Sequence, residues 1–160
     1  MHKNHSNMSK MNEKHYRHLL IMAVLSFISM YILMYAMVNT LGNVYNNFNQ
    51  FYMAGLMTAP MVVIELVVMR AMYQDKRRNA LIIIASVITG LAFFLLIRQQ
   101  TAISDKQFLR SMIPHHAGAI LMCEHASIQD AEIKELCRSI ISSQQAEIDQ
   151  MRAKLGELEE

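Results

Sequence analysis

The chain has 160 residues, of which 53% are hydrophobic and 18% are charged, and its formal net charge is +2. The apolar residues are concentrated in three runs before residue 98, and the chain contains only two cysteines and two prolines. This composition excludes a plain soluble globule, a disulfide scaffold and a disordered chain, and the lack of strand-like alternation argues against a β-rich fold. We therefore expect an all-α protein.

Three apolar segments are each long enough to cross a lipid bilayer. They comprise residues 19–38, 51–69 and 80–97. At about 1.5 Å per residue, each segment covers roughly the 30 Å of a bilayer core. The first segment is too long for the apolar region of a signal peptide and no small-residue cleavage site follows it, so we expect it to be retained. The sequence therefore predicts three transmembrane helices.

The basic residues around these segments predict their orientation. Lysines and arginines precede residue 19 and recur between residues 70 and 78, whereas residues 39–50 carry no charge. The positive-inside rule then places the N-terminus in the cytoplasm and everything after residue 97 outside it. We expect a multi-pass protein of the inner (plasma) membrane, with the bilayer as a partner. We do not expect nucleic acid as a partner, because the basic residues flank the spans.

This orientation divides the chain into three predicted domains. They are a cytoplasmic tail rich in Met and His at residues 1–18, a three-span membrane module at residues 19–97, and a periplasmic or extracytoplasmic helical domain at residues 98–160. Within the last domain, helical periodicity predicts one helix from Ser104 or Asp105 to about Cys123 and a second from about Asp130 to Leu155. A short turn between two amphipathic helices is typical of an antiparallel hairpin.

One hairpin is half of a four-helix bundle, so we expect a second copy to complete the bundle as a homodimer. The hairpin register places Cys123 opposite Cys137 and His116 near Gln144. It gathers potential metal ligands along one seam between the two helices, namely Met112, His115, His116, Met122, Cys123, Cys137, Glu147 and Met151.

Thioether, thiol and imidazole donors together favour Cu(I) or Ag(I), and the imidazoles would also accept Zn(II) or Cu(II). Each donor also has a structural interpretation. The methionines can fill the core, and the histidines can be buried with their hydrogen bonds satisfied. The two cysteines can form either a disulfide or a pair of thiolate ligands.

Two segments of this domain resemble a known family. The segment FLRSMIPHHAGAILM at residues 108–122 and the segment IISSQQAEIDQM at residues 140–151 are similar to the domain of unknown function 305 family. The resemblance covers residues 104–155 and implies an exported, ferritin-like helical bundle. Several members of the family are associated with periplasmic copper binding and tolerance. By position, the resemblance assigns the metal-binding role to Met112, His115, His116, Met122, Glu147 and Met151.

The chain departs from this family pattern in two respects. Fuller members carry two copies of the motif, whereas this chain carries one, and both cysteines stand where small apolar residues are expected. No glutamate is followed three residues later by histidine, which speaks against a di-iron oxidase. No nucleophile–base constellation or phosphate loop occurs either. We therefore expect a binding protein and not an enzyme.

A second candidate site lies in the membrane module. Met53, Met57, Met61 and Glu65 recur at intervals of four residues on one face of the second span. An acid within a membrane span is a functional candidate by default, although Met is also an ordinary lipid-facing residue.

The leading hypothesis is a membrane-anchored copper-binding protein for sequestration, tolerance or delivery, with a copper exporter or chaperone as its partner. The alternatives are a three-helix metal transporter that uses the Met53–Glu65 face, and a structural membrane subunit without metal.

Overall fold

The fold consists of five α-helices, and the described part of the chain contains no β-strand. The computed structural model describes the backbone of residues 2–159 and the side chains of residue 11 and residues 13–159. The helices are α1 (His2–Leu33), α2 (Phe48–Val68), α3 (Lys76–Gln99), α4 (Asp105–His125) and α5 (Ala131–Glu159). Two short 3₁₀ turns, Met34–Met37 and Leu41–Asn43, lie between α1 and α2. The prediction of an all-α protein is confirmed.

Three helical segments are long and apolar enough to cross a membrane, as predicted. They are Glu13–Met37, Phe48–Val68 and Lys76–Gln99. The predicted tail at residues 1–18 continues into the first of these segments, because α1 begins at His2. No glycine or proline interrupts residues 2–33, so nothing in this stretch breaks a helix. The side chains of residues 1–10 and 12, including His2 and His5, lie outside the described residues.

The chain divides into two compact units, and their boundaries differ from the predicted domains. The first unit contains Met1–Tyr31 and Phe51–Gln99. The second unit contains Ile32–Gln50 and Gln100–Glu160. Residues 32–50 therefore belong with the C-terminal helices, whereas we expected residues 32–38 to end the first span and residues 39–50 to connect two spans.

The first unit is held together by an apolar cluster and by tyrosine hydrogen bonds at one end of the helices. Leu19, Leu66 and Tyr73 are buried together. The Tyr16 hydroxyl donates to Oδ1 of Asn79 at 2.7 Å, and Nδ2 of Asn79 donates to the Tyr73 carbonyl at 2.7 Å. The first bond connects α1 to the first turn of α3, and the second connects that turn to the loop before it, so together they hold the start of α3 beside the first helix.

The core of the second unit lies between α4 and α5. Its buried members are Leu109, Ile113, Ala117, Ile120, Ile148 and Leu155. Val38 and Tyr45, from the segment before α2, pack against this core. The Tyr35 hydroxyl donates to the Tyr45 carbonyl at 2.7 Å, which holds the segment in place. The segment therefore covers part of the apolar surface that the two C-terminal helices present.

Local sequence signals fix the ends of α4 and α5. Ser104 occupies the N-cap position of α4 with an extended backbone, as predicted. The Asp130 carboxylate caps α5, because its Oδ1 accepts hydrogen bonds from the backbone N–H groups of Glu132 and Ile133 at 2.9 and 3.0 Å. This arrangement satisfies two of the amide groups that have no partner at a helix start. Pro114 lies within α4, which continues through it to His125.

Candidate metal centre

His116 is the most enclosed of the predicted metal ligands, with only 7% of its surface exposed. It lies on α4, and its Nδ1 is 2.9 Å from the Met112 carbonyl oxygen one turn earlier. A carbonyl oxygen only accepts hydrogen bonds, so Nδ1 carries the proton and donates it there. Nε2 is then the ring nitrogen that remains for another partner. This is the arrangement in which histidines bind metals, with the second ring nitrogen donating to a backbone carbonyl.

The Nε2 atom of His116 faces a carboxylate on the opposite helix. Oε2 of Glu147 lies 2.6 Å from Nε2, and the Glu147 side chain is about half exposed, at 51%. The contact therefore joins a buried imidazole to a carboxylate at the edge of the solvent. Glu147 lies one turn beyond Gln144, the residue that the hairpin register predicted beside His116.

Met112 and Met151 are both half-buried. In the sequence, Met112 precedes His116 by four residues and Met151 follows Glu147 by four. Met112 supplies the carbonyl that fixes the His116 ring, and Met151 packs against the core that contains Ile148. A thioether is a soft donor suited to Cu(I), and it is also a flexible apolar group that fills space well. Met151 thus serves the packing of α4 against α5 while carrying a sulfur donor.

His115 and Met122 are not enclosed with His116. His115 is exposed, and its ring centroid lies 6.1 Å from that of His116. Consecutive residues on a helix point about 100° apart, so His115 faces away from the buried side that His116 occupies. Met122 is 54% exposed. The eight predicted ligands therefore do not form one enclosed cluster.

Cys123 and Cys137 are joined in a disulfide that connects α4 to α5. Their Cα atoms are 5.2 Å apart, and the pairing follows the predicted register. A disulfide offers no thiolate to a metal ion. In this oxidised form the cysteines tie the helices together, which is one of the two interpretations that the sequence left open.

The described residues bring no group of three or more His, Cys, Asp and Glu side chains together as a metal site. His116 and Glu147 provide two donors.

The membrane candidates are placed along α2. Met53 and Met57 are exposed at the surface of the first unit, and Met61 is half-buried. Glu65 lies three residues before the end of α2, where its Oε1 accepts a hydrogen bond from the Tyr73 hydroxyl at 3.4 Å. The acid is therefore near the end of its apolar helix and has a partner in its own unit.

Sequence reasoning missed two features of this region. The Met112 carbonyl, a backbone group, orients the His116 ring, and side-chain motifs do not report such contacts. Residues 34–43 also contact α4. The only sequence signal for that contact is a charge-free, asparagine-rich connection, which is equally typical of a surface loop.

Comparison with known proteins shows that the chain matches a family model and a protein of known sequence. The sequence model of the family described as "Domain of unknown function (DUF305)" matches residues 65–155. The match thus includes α3 as well as the two helices that carry the motifs. An uncharacterized protein of Acanthamoeba polyphaga mimivirus is 38% identical over 113 residues, which cover 69% of this chain and 72% of the relative. No solved structure matches the chain.

Proposed function

The chain belongs to the domain of unknown function 305 family, and on that premise we propose that it is a membrane-anchored copper-binding protein. In this proposal the α4–α5 pair sequesters Cu(I) or hands it on, and His116 is the central ligand. The observation that supports the proposal is the hydrogen bond that orients the His116 ring. Nδ1 donates to the Met112 carbonyl, so Nε2, the nitrogen that faces Glu147, is the one that a metal would bind.

The donor types near His116 favour a soft ion. An imidazole with the Met112 and Met151 thioethers suits Cu(I) and Ag(I), whereas an imidazole with the Glu147 carboxylate would also accept Zn(II) or Cu(II). Because Glu147 now lies 2.6 Å from Nε2, a metal that binds this nitrogen must displace the carboxylate or share it. Glu147 is half exposed, so its side chain has room to move.

A second copy of the chain would complete the site and the bundle. Two His116–Glu147 pairs would provide four donors. The described residues of one chain bring together no group of three or more His, Cys, Asp and Glu side chains. Large apolar side chains remain exposed on α4 and α5, among them Phe108, Ile133 and Leu136. A dimeric four-helix bundle would cover such side chains.

The proposed topology has the N-terminus in the cytoplasm and the α4–α5 pair outside it. This topology is supported by the segments that form the second unit, which are residues 32–50 and residues 100–160. These segments can meet only on one side of a membrane, which requires an even number of crossings between them. Crossings by both α2 and α3 satisfy this requirement, and the positive-inside rule then gives the direction.

The metal experiment uses the full-length protein in detergent or lipid nanodiscs. Cu(I) affinity is measured by competition with a colorimetric chelator for the wild type, His116→Ala and the control His125→Ala, whose exposed side chain lies at the C-terminal end of α4. We expect His116→Ala to lower the affinity more than tenfold, because water replaces an imidazole poorly on a soft ion. We expect His125→Ala to leave it unchanged. Equal affinities of the two variants would refute the assignment.

Methionine variants separate ligands from core residues. Met112→Leu and Met151→Leu retain apolar volume and remove only the sulfur, so stability should change by less than about 1.5 kcal/mol. If the thioethers bind copper, the affinity falls while stability is kept. Light scattering of the same samples, with and without Cu(I), reports whether the protein is a dimer.

The orientation has a separate test. A reporter that is active only outside the cytoplasm should work when it is fused after residue 160 and fail when it is inserted at Asn79. The reverse pattern would place the metal centre in the cytoplasm.

A further inference from the structure

We propose that the Cys123–Cys137 pair is a second soft-metal site, which is closed as a disulfide and opened by reduction to bind one Cu(I) through two thiolates. The pair is separate from the His116 centre. Cys123 follows His116 by seven residues on α4, or about 10 Å at 1.5 Å per residue. The two sites therefore have different donors and do not depend on each other.

The position of the disulfide outside the core supports its reversible opening. The buried residues of α4 end at Ile120, and those of α5 begin at Ile148. Among residues 121–140, which include both cysteines, none is buried. Both cysteines are half-buried, so a small reductant can reach the sulfurs. Opening the bond breaks no contact between buried side chains.

Other interactions keep the two thiols close after reduction. The backbone N–H of Ala126 donates to the Met122 carbonyl at 3.0 Å, which completes the last turn of α4. The Asp130 carboxylate caps the first turn of α5 through two hydrogen bonds. The core below the cysteines holds the two helices side by side. The Cα atoms therefore stay near their present separation of 5.2 Å.

This separation suits a bridging metal ion. Metal–thiolate bonds are about 2.3 Å long for zinc, so one ion holds two sulfurs up to about 4.6 Å apart. Rotation of the cysteine side chains provides this spacing without backbone movement. Thiolates are the donors that select Cu(I) most strongly, whereas the His116 centre offers imidazole, thioether and carboxylate groups.

The proposed chemistry consists of two balanced steps. A dithiol reductant transfers two electrons and two protons to the disulfide, so that the Cys123–Cys137 bond breaks and the reductant closes into its own disulfide. One Cu(I) then replaces the two thiol protons, which are released to solvent, and two sulfur–copper bonds form.

The test compares copper stoichiometry in the oxidised and reduced full-length protein. The protein is reduced with a dithiol, freed of reductant by anaerobic gel filtration and titrated with Cu(I), while the ultraviolet thiolate–copper absorption band is recorded. We expect reduction to add one equivalent of Cu(I) and the band. We expect both gains to be absent from the Cys123→Ser/Cys137→Ser variant and present in His116→Ala.

The His116→Ala variant keeps this test independent of the proposed function, because it removes the first site and leaves the cysteines in place. A reduced wild type that gains no copper would overturn the proposal, as would a gain that survives in the double serine variant. Circular dichroism provides the remaining check. A loss of helix on reduction would also overturn the proposal, because the bond would then be a structural clamp.

Discussion

The Nε2 atom of His116 lies 2.6 Å from Oε2 of Glu147, and this contact joins α4 to α5 at the edge of their common core. The imidazole is buried and has both nitrogens bonded, while the carboxylate is half exposed. The pair contributes to the fold even without a metal, and its contribution to stability can be measured separately from metal binding.

Replacement of Glu147 by Ala should destabilise the metal-free protein. The change removes the partner of a buried ring nitrogen, and we expect a loss of about 1 kcal/mol because the carboxylate is partly solvated. The matched control is Glu135→Ala, which removes an ion pair with Arg138 at 2.6 Å between largely exposed side chains. We expect that variant to lose less than about 0.5 kcal/mol. Chemical unfolding in detergent, followed by circular dichroism, compares the two, and equal losses would contradict this interpretation.

Val38 should stabilise the C-terminal helices although it is distant from them in sequence. It packs against the α4–α5 core, so Val38→Ala should cost about 1 kcal/mol through lost apolar burial. Val44, in the same segment, is exposed, and Val44→Ala should have little effect. Hydrogen exchange measures the result directly, because Val38→Ala should speed exchange of the amides in α4. Unchanged exchange in both variants would show that the segment does not support the core.

Two glycines should respond to alanine in opposite directions. A Cβ atom on Gly55 would collide with the Phe93 ring in the first unit, whereas a Cβ on Gly156 of α5 would meet no atom within 4 Å. We expect Gly55→Ala to destabilise by about 1–3 kcal/mol through overpacking. We expect Gly156→Ala to stabilise by about 0.5–1 kcal/mol, because glycine is costly within a helix. Thermal unfolding tests both, and Phe93→Leu should rescue Gly55→Ala if the ring is the cause.

Tyr73 should make the protein sensitive to alkali. Burial raises the pKa of Tyr73 above its usual 10.0, and the Glu65 carboxylate raises it further. The unfolded chain therefore loses this proton at a lower pH than the folded protein does. The stability that the protonated Tyr73 contributes to the fold is fully present below pH 10.0. It is lost as the pH rises toward the folded-state pKa of this residue. Tyr73→Phe should lessen the fall in stability above that pH and have little effect at neutral pH. Identical alkaline unfolding curves would contradict this.

The large elements could be predicted from the sequence because their causes are local. Apolar runs predict the three helices that are long enough to cross a membrane. Ser104 and Asp130 mark the starts of α4 and α5. The pairing of Cys123 with Cys137 follows from the register of two helices joined by a short turn.

The site itself depends on contacts that sequence does not report. His115 and His116 are equally plausible members of one helical stripe, and the way α5 crosses α4 decides that only His116 is buried. The same crossing brings Glu147, and not Gln144, to the ring. The role of residues 39–50 was missed because neutral, asparagine-rich segments are typical of exposed loops, and that of residues 32–38 because they continue an apolar run.

The packing of Val38 and Tyr45 against α4 and α5 has a consequence for the order of assembly during synthesis. The ribosome makes these two residues first and then completes α2 and α3 before the helices that receive them exist. The second unit can therefore close only after both intervening helices have been placed. Until then the early segment has no helices to pack against. Folding of the second unit is thus tied to completion of the two apolar helices that separate its parts in the sequence.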